Sequence, residues 1–174
     1  AAGGSAVMLD SRSGEVLAMV NMPDFNPNDR GDLSGERFRN RAVTDLFEPG
    51  STIKPFTLSM ALAKGVFSPD SKVMTSPGVH YVGGRPIRDI RDYGELSVAE
   101  LLIRSSNVGT AKVAMELAPE ELYNTLNAVG FGRLTGVELP GEQSGRLLKR
   151  ERWRPVDHAW LSFGYGLSST PLQL

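Results

Sequence analysis

The stretch Glu48-Pro49-Gly50-Ser51-Thr52-Ile53-Lys54-Pro55-Phe56 constrains this chain more than any other. Proline inside a helix removes a hydrogen bond and clashes with the preceding turn, so Pro55 is tolerated only in a first turn. A Pro-Gly break, Pro49-Gly50, stands just upstream, and an apolar run of Ile53, Phe56, Leu58, Met60, Ala61 and Leu62 follows. Together they predict a helix that starts at or near Ser51, runs to about Ala63 and stops at Lys64-Gly65. On such a helix Ser51 and Lys54 lie at i and i+3 on one face, where a hydroxyl and an amine can share a hydrogen bond.

The rest of the chain supplies a strand pair and a helical body. Two apolar segments, 5–10 and 15–20, flank Ser11-Arg12-Ser13-Gly14 and predict a β-hairpin. Residues 21–32 hold two Pro, three Asn and three Asp and predict a surface loop. Ser34 to Val43 reads as a short helix exposing Arg37, Arg39 and Arg41. Val79-His80-Tyr81-Val82, Gly83-Gly84 and Arg85-Pro86-Ile87 predict a second, small hairpin. Ser97-Val98-Ala99-Glu100 is a capping-box pattern opening a helix through Ile103. After Ser105-Ser106-Asn107 a second run continues through Leu117, and Pro119-Glu120-Glu121 opens a third that stops at Gly130. Residues 132–145 are loop-like, 153–160 mixed, and 169–174 look like the first turn of a helix. The expected class is α+β, or an α/β sandwich missing some strands.

Composition removes several functions. With 174 residues, one domain or a piece of a larger one is expected. A net charge of −1 gives no sign of a polyanionic partner. The absence of cysteine excludes a disulfide framework and a thiolate zinc site, and His80 and His158, far apart, are thin material for a metal centre or a histidine-led triad. No apolar run is long enough to span a bilayer and Ala1-Ala2-Gly3-Gly4 is not a signal peptide, so any anchor is expected outside this sequence.

A lone Ser-x-x-Lys arises by chance about once in a chain of this length at average composition. The match at Ser51 has a better setting. At a helix N-terminus its N–H is free to donate, and the dipole favours developing negative charge. A serine hydroxyl needs a neighbour to take its proton, and Lys54 can do so only when neutral, a state that desolvation promotes. On this local pattern alone, a helix-capping serine and a surface lysine remain the better reading. Ser105-Ser106-Asn107 carries a second hydroxyl that could relay a proton and an amide that could hold a carbonyl, against the plainer reading of a helix cap.

Taken together, Ser51-x-x-Lys54 followed some fifty residues later by Ser105-x-Asn107 is similar to the first two parts of the signature of penicillin-recognising serine enzymes. The flanks carry the likeness further. Arg39-Asn40-Arg41, Phe47 through Pro55, Ser105 through Gly109, Phe163-Gly164-Tyr165-Gly166-Leu167 and the opening hairpin with Ser13 through Met19 resemble class B penicillin-binding proteins, above all septal, cell-division peptidoglycan transpeptidases. The resemblance covers essentially all of 1–174 and implies a partial penicillin-binding-protein/serine β-lactamase-like transpeptidase fold. It implies Ser51 as acylated nucleophile, with its N–H as half of an oxyanion hole, Lys54 as proton acceptor, Ser105 as proton relay and Asn107 as ligand of the substrate amide. It implies a peptidoglycan stem peptide ending in D-Ala-D-Ala as substrate and β-lactams as mimics. It also implies division-complex proteins as partners, the periplasmic face of the inner membrane as location, and no metal or organic cofactor.

The third part of the signature, Lys-(Thr/Ser)-Gly, is absent from the sequence. Arg12-Ser13-Gly14 is better read as the hairpin turn, and Leu134-Thr135-Gly136 and Gln143-Ser144-Gly145 lack the cation. The expectation is therefore a fragment with one wall of the cleft missing, a poor catalyst alone, with a sheet edge open to another chain. Two rivals stand beside this reading. A serine β-lactamase would need a hydrolytic base, yet Tyr123 stands where the Glu of the nearest lookalike, Tyr123 through Asn127, would be. A non-catalytic division-complex fragment would dock through Arg37, Arg39 and Arg41, which a solvated helix face explains more plainly.

Overall fold

Helix α2, Lys54–Ala63, contributes Leu58, Met60 and Ala61 to the main hydrophobic core. The structure is a computed structural model that describes residues 3–26, 28, 31, 35 and 37–174. Pro55 lies in the first turn of α2, as its missing N–H requires. A 3-10 turn, Gly50–Ile53, precedes the helix, so the helical path begins where the Pro-Gly break predicts, and its first turn is tighter than an α-helix.

Strands β1, Gly4–Leu9, and β2, Val16–Met22, pair antiparallel with Ala6 opposite Val20. The Asp10 carboxylate accepts from the N–H groups of Arg12 and Ser13 and closes the turn between them. The pair forms a two-stranded sheet, and Met8, Leu17, Val20 and Met22 are exposed on it. Strands β3, Lys72–Met74, β4, Val79–Val82, β5, Arg85–Arg88, and β6, Glu95–Ser97, form two further pairs, β3 with β6 and β4 with β5. The β4–β5 hairpin turns at Gly83 and Gly84, both at positive φ. The β3–β6 pair has no counterpart in the sequence reading.

Helix α3, Val98–Arg104, starts at the expected capping box: Ser97 Oγ accepts from Glu100 N–H, and the Glu100 carboxylate accepts from Ser97 N–H. Helices α4, Asn107–Met115, α5, Pro119–Ala128, and α6, Pro155–Leu161, complete the body. Residues 171–173 form a turn, with reciprocal bonds between Thr170 and Gln173. The main core joins Ile53, Leu58 and Ala61 to Leu101, Val113, Leu122 and Leu161. Each of the Val, Leu and Ile side chains contributes about 1.5–3 kcal/mol when taken from water. A second cluster, Val82, Ile87, Val108, Ala111, Val156 and Phe163, fastens the β4–β5 hairpin to α4 and α6. Gly109 lets α3 and α4 meet, because a Cβ there would overlap Cδ2 of Leu101.

The expected helix over Ser34 to Val43 is corrected. Helix α1 spans only Arg41–Thr44, while Ser34 and Glu36 of the predicted span, with Pro27, Asp29, Arg30 and Asp32 of the predicted loop, lie outside the described residues. Side-chain amides delay the helix start: Asn21 Nδ2 donates to Asn40 Oδ1, and Asn21 Oδ1 accepts from Ala42 N–H. Arg39 and Arg41 do not form a free docking face, because both pair with Asp45, at 2.8 and 2.9 Å.

His158 on α6 is 2% exposed, lies roughly parallel to the Trp153 ring, and has no hydrogen-bond partner at Nε2 among the described residues. Burial, aided by the nearby Arg150 charge and opposed by Glu120, lowers its pKa to about 4. The folded state thus binds fewer protons than the unfolded chain between pH 6.5 and 4, so the contribution is full above pH 6.5 and is lost as pH falls toward 4. Thermal or urea unfolding at pH 7.5 and 5 should show a loss of about 2 kcal/mol from this group. His158→Leu should remove that share of the pH dependence; a variant with the wild-type slope would refute it.

Candidate active site

Ser51 is exposed in the middle of the 3-10 turn and caps no helix; Pro49 precedes the turn and Ile53 precedes α2. The capping explanation of Ser51 therefore does not hold. Its N–H lies in a first helical turn, where no intrahelical carbonyl is available. The turn is pinned from behind. Gly50 N–H donates to the Gly164 carbonyl at 3.0 Å, and Gly166 N–H donates to Glu48 Oε1 at 2.8 Å. Further along, Phe47 and Ser169 exchange backbone hydrogen bonds. Gly164 has φ +89, and a Cβ there would overlap the Gly50 carbonyl oxygen and lie 2.5 Å from its carbon. The Phe163–Gly166 motif is thus a close-approach element for the Ser51 turn.

Lys54 is 1% exposed at the start of α2. Its Nζ donates to the Ser105 carbonyl at 2.5 Å and to Ser105 Oγ at 2.9 Å. Ser105 Oγ in turn donates to Ser51 Oγ at 2.9 Å. The direct Ser51–Lys54 bond suggested by their i, i+3 spacing is replaced by this two-step path, because Ser105 lies between them. Burial lowers the pKa of Lys54 to about 8, against the opposing field of Asp89. A hydroxyl chain of this kind conducts either way. When Lys54 is neutral, its lone pair can accept from Ser105 while Ser105 accepts from Ser51.

Ser105 links α3 to α4 in the left-handed region, at φ 54. Ser106 is the cap here; its Oγ accepts from Gly109 N–H. Asn107 opens α4, and its Nδ2 donates to the Arg88 carbonyl at 3.0 Å. Among the described residues Asn107 Oδ1 takes part in no hydrogen bond, so it remains an acceptor. A groove of about 380 Å³ runs beside it, lined by Glu48, Arg88, Trp160, Phe163 and Tyr165. All four predicted site residues therefore fall in one region. The sequence reading missed Asp89, which accepts from Ser106 Oγ and from the N–H groups of Asn107 and Val108. Its partners lie 17 to 19 residues away, beyond any local pattern. Tyr123 lies on α5 with its ring edge against Trp153, so the lookalike stretch around it is a helix face.

Comparison with known proteins identifies the family to which this fold belongs. A family profile described as "Penicillin binding protein transpeptidase domain" matches residues 4–174. Over 171 residues the chain is 44% identical to "Peptidoglycan D,D-transpeptidase FtsI" of Escherichia coli, covering 98% of this chain and 29% of that protein. It is 42% identical to "Probable peptidoglycan D,D-transpeptidase PbpC" of Pseudomonas aeruginosa, covering 98% of this chain and 30% of that one. The solved transpeptidase domain of Burkholderia pseudomallei penicillin-binding protein 3 superposes with a TM-score of 0.86 at 39% identity, over 98% of this chain and 47% of that one. The chain belongs to the penicillin-binding protein transpeptidase family. It spans about three-tenths of the length of these curated relatives.

Gly164→Ala should destabilise the fold by more than Gly166→Ala, although both glycines have positive φ. At Gly166 a Cβ meets nothing, so only about 1–2 kcal/mol of backbone strain is added. At Gly164 a further 1–3 kcal/mol of overpacking is expected. Equal melting temperatures for the two variants would contradict the close-approach account.

Proposed function

We propose that this chain carries the nucleophile-bearing part of a peptidoglycan D,D-transpeptidase that cross-links stem peptides in septal wall synthesis. The observation that carries the reading is the continuous path from the exposed Ser51 hydroxyl through Ser105 to the buried amine of Lys54. The names of the relatives support the reaction and the division context.

Ser51 Oγ attacks the carbonyl of the penultimate D-Ala, and its proton passes through Ser105 to neutral Lys54. The tetrahedral oxyanion accepts from Ser51 N–H, at the positive end of the helix dipole. The C–N bond then breaks, and the proton returns along the same path to the departing amine of the terminal D-Ala. The acyl-enzyme ester on Ser51 is attacked by an amine of a second stem peptide, which forms the cross-link, releases a proton and restores the Ser51 hydroxyl. Asn107 Oδ1 accepts from the donor peptide's amide N–H. β-Lactams mimic the donor peptide, enter the same first step and acylate Ser51.

The remaining wall of the cleft would come from a Lys-(Thr/Ser)-Gly segment, which this sequence lacks and a longer natural chain would supply. Residues 1–174 are thus one part of a transpeptidase domain, and by themselves a poor catalyst. In the full protein the domain would work on the periplasmic side of the inner membrane beside division proteins. Among the described residues no helix is long and apolar enough to cross a membrane.

Intact-mass analysis of the full natural chain with benzylpenicillin should show one adduct, on the Ser51 peptide, with Ser51→Ala blank. Ser105→Ala should slow acylation by about 10²–10⁴-fold. The wild-type rate should climb with pH through about 8, as Lys54 loses its proton. An adduct that persists in Ser51→Ala, or a rate flat from pH 6 to 9, would overturn the reading.

A further inference from the structure

The Ser105–Asn107 turn does not hold its shape unaided. Ser105 adopts a left-handed conformation that costs a non-glycine residue of the order of 1 kcal/mol or more. The first N–H groups of α4 have no intrahelical acceptor. A carboxylate from another part of the fold meets both needs. Asp89 Oδ2 accepts from Ser106 Oγ at 2.7 Å, and Oδ1 accepts from Asn107 N–H at 2.6 Å and Val108 N–H at 3.0 Å. The neighbouring Arg88 carbonyl takes Asn107 Nδ2, so two consecutive residues after the β4–β5 turn grip the same loop. Asp89 is itself fixed, since its N–H donates to the Gly78 carbonyl at 3.0 Å.

We infer that Asp89 is a positioning residue of this site: it holds the Ser105–Asn107 turn at the spacing that lets Ser105 bridge Lys54 and Ser51, and its charge acts on Lys54. The inference rests on the acyl-transfer reading above and goes beyond it by giving a role to a residue outside the three-part signature. Asp89 makes no hydrogen bond to Ser51 or Lys54; it acts on the first through Ser105 and on the second through its field. The direct partners of Lys54 Nζ, the Ser105 carbonyl and hydroxyl, are neutral. The charge that opposes the effect of burial on Lys54 is that of Asp89. Two effects follow from one carboxylate. Its hydrogen bonds set the geometry of the relay, and its charge keeps Lys54 protonated to higher pH than burial alone would.

The two effects separate in the pH profile of acylation by benzylpenicillin, measured on the full natural chain. Asp89→Asn keeps the shape and removes the charge. Its plateau rate should fall about 10–100-fold as the relay loosens, and its acidic limb should move down by up to about one pH unit. Asp89→Glu keeps the charge, so its limb should stay at the wild-type position while its plateau falls. A limb that does not move in Asp89→Asn would overturn the inference, since a purely structural residue changes the amount of active protein and not its titration. If Asp89→Asn does not fold, a wild-type plateau in Asp89→Glu would overturn the positioning role. A wild-type chain that is never acylated would sink the acyl-transfer reading itself, which this control reports separately.

Discussion

The burial of one amine, Lys54, is the constraint on which the rest of the site depends. An ammonium taken out of water loses its solvation, and at 1% exposure Lys54 has, among the described residues, the Ser105 carbonyl and hydroxyl as hydrogen-bond partners. Two consequences follow. The amine is driven toward its neutral form near physiological pH, as a proton acceptor needs. Ser105 must also turn both its carbonyl and its side chain toward α2, which the left-handed backbone between α3 and α4 allows. The desolvated lysine is thus a source of both reactivity and instability, and the tightly packed α2 core holds it in place.

Four separate stretches meet around this amine. The Ser51 turn brings one hydroxyl, the α3–α4 junction brings Ser105 between it and Lys54, and Asp89, just after β5, is hydrogen-bonded to that junction. The Phe163–Gly166 segment lies against the back of the Ser51 turn so closely that only glycine fits at Gly164. Apart from Lys54 and Glu48, these contacts rely on main chain or on short side chains, which leave little conformational freedom. Loop residues can thereby hold the close geometry that the proposed acyl transfer needs.

Features written in local chemistry were legible in the sequence. Pro55 located the helix start, the Ser97–Glu100 box located α3, and Gly83-Gly84 located the second hairpin. Ser51, Lys54, Ser105 and Asn107 were found as types and spacing, but their connection was not. The i, i+3 rule placed Lys54 against Ser51, whereas tertiary packing puts Ser105 between them. The β3–β6 pair was invisible because three-residue strands are too short to show alternation. Asp89 was invisible because an acid after a strand is unremarkable until its partners, 17 to 19 residues on, are brought to it. The helix expected from Ser34 failed because Asn21, a side chain from β2, ties Asn40 and Ala42 and starts the helix only at Arg41.

In the proposed reaction a buried, readily neutral Lys54 draws the proton of Ser51 through Ser105. The most direct test is an NMR titration of the Lys54 side chain in the full natural chain, followed at Cε, with Lys54→Arg to assign the resonance. The account predicts a midpoint near pH 8. A midpoint at the ordinary lysine value of about 10.5 would contradict it.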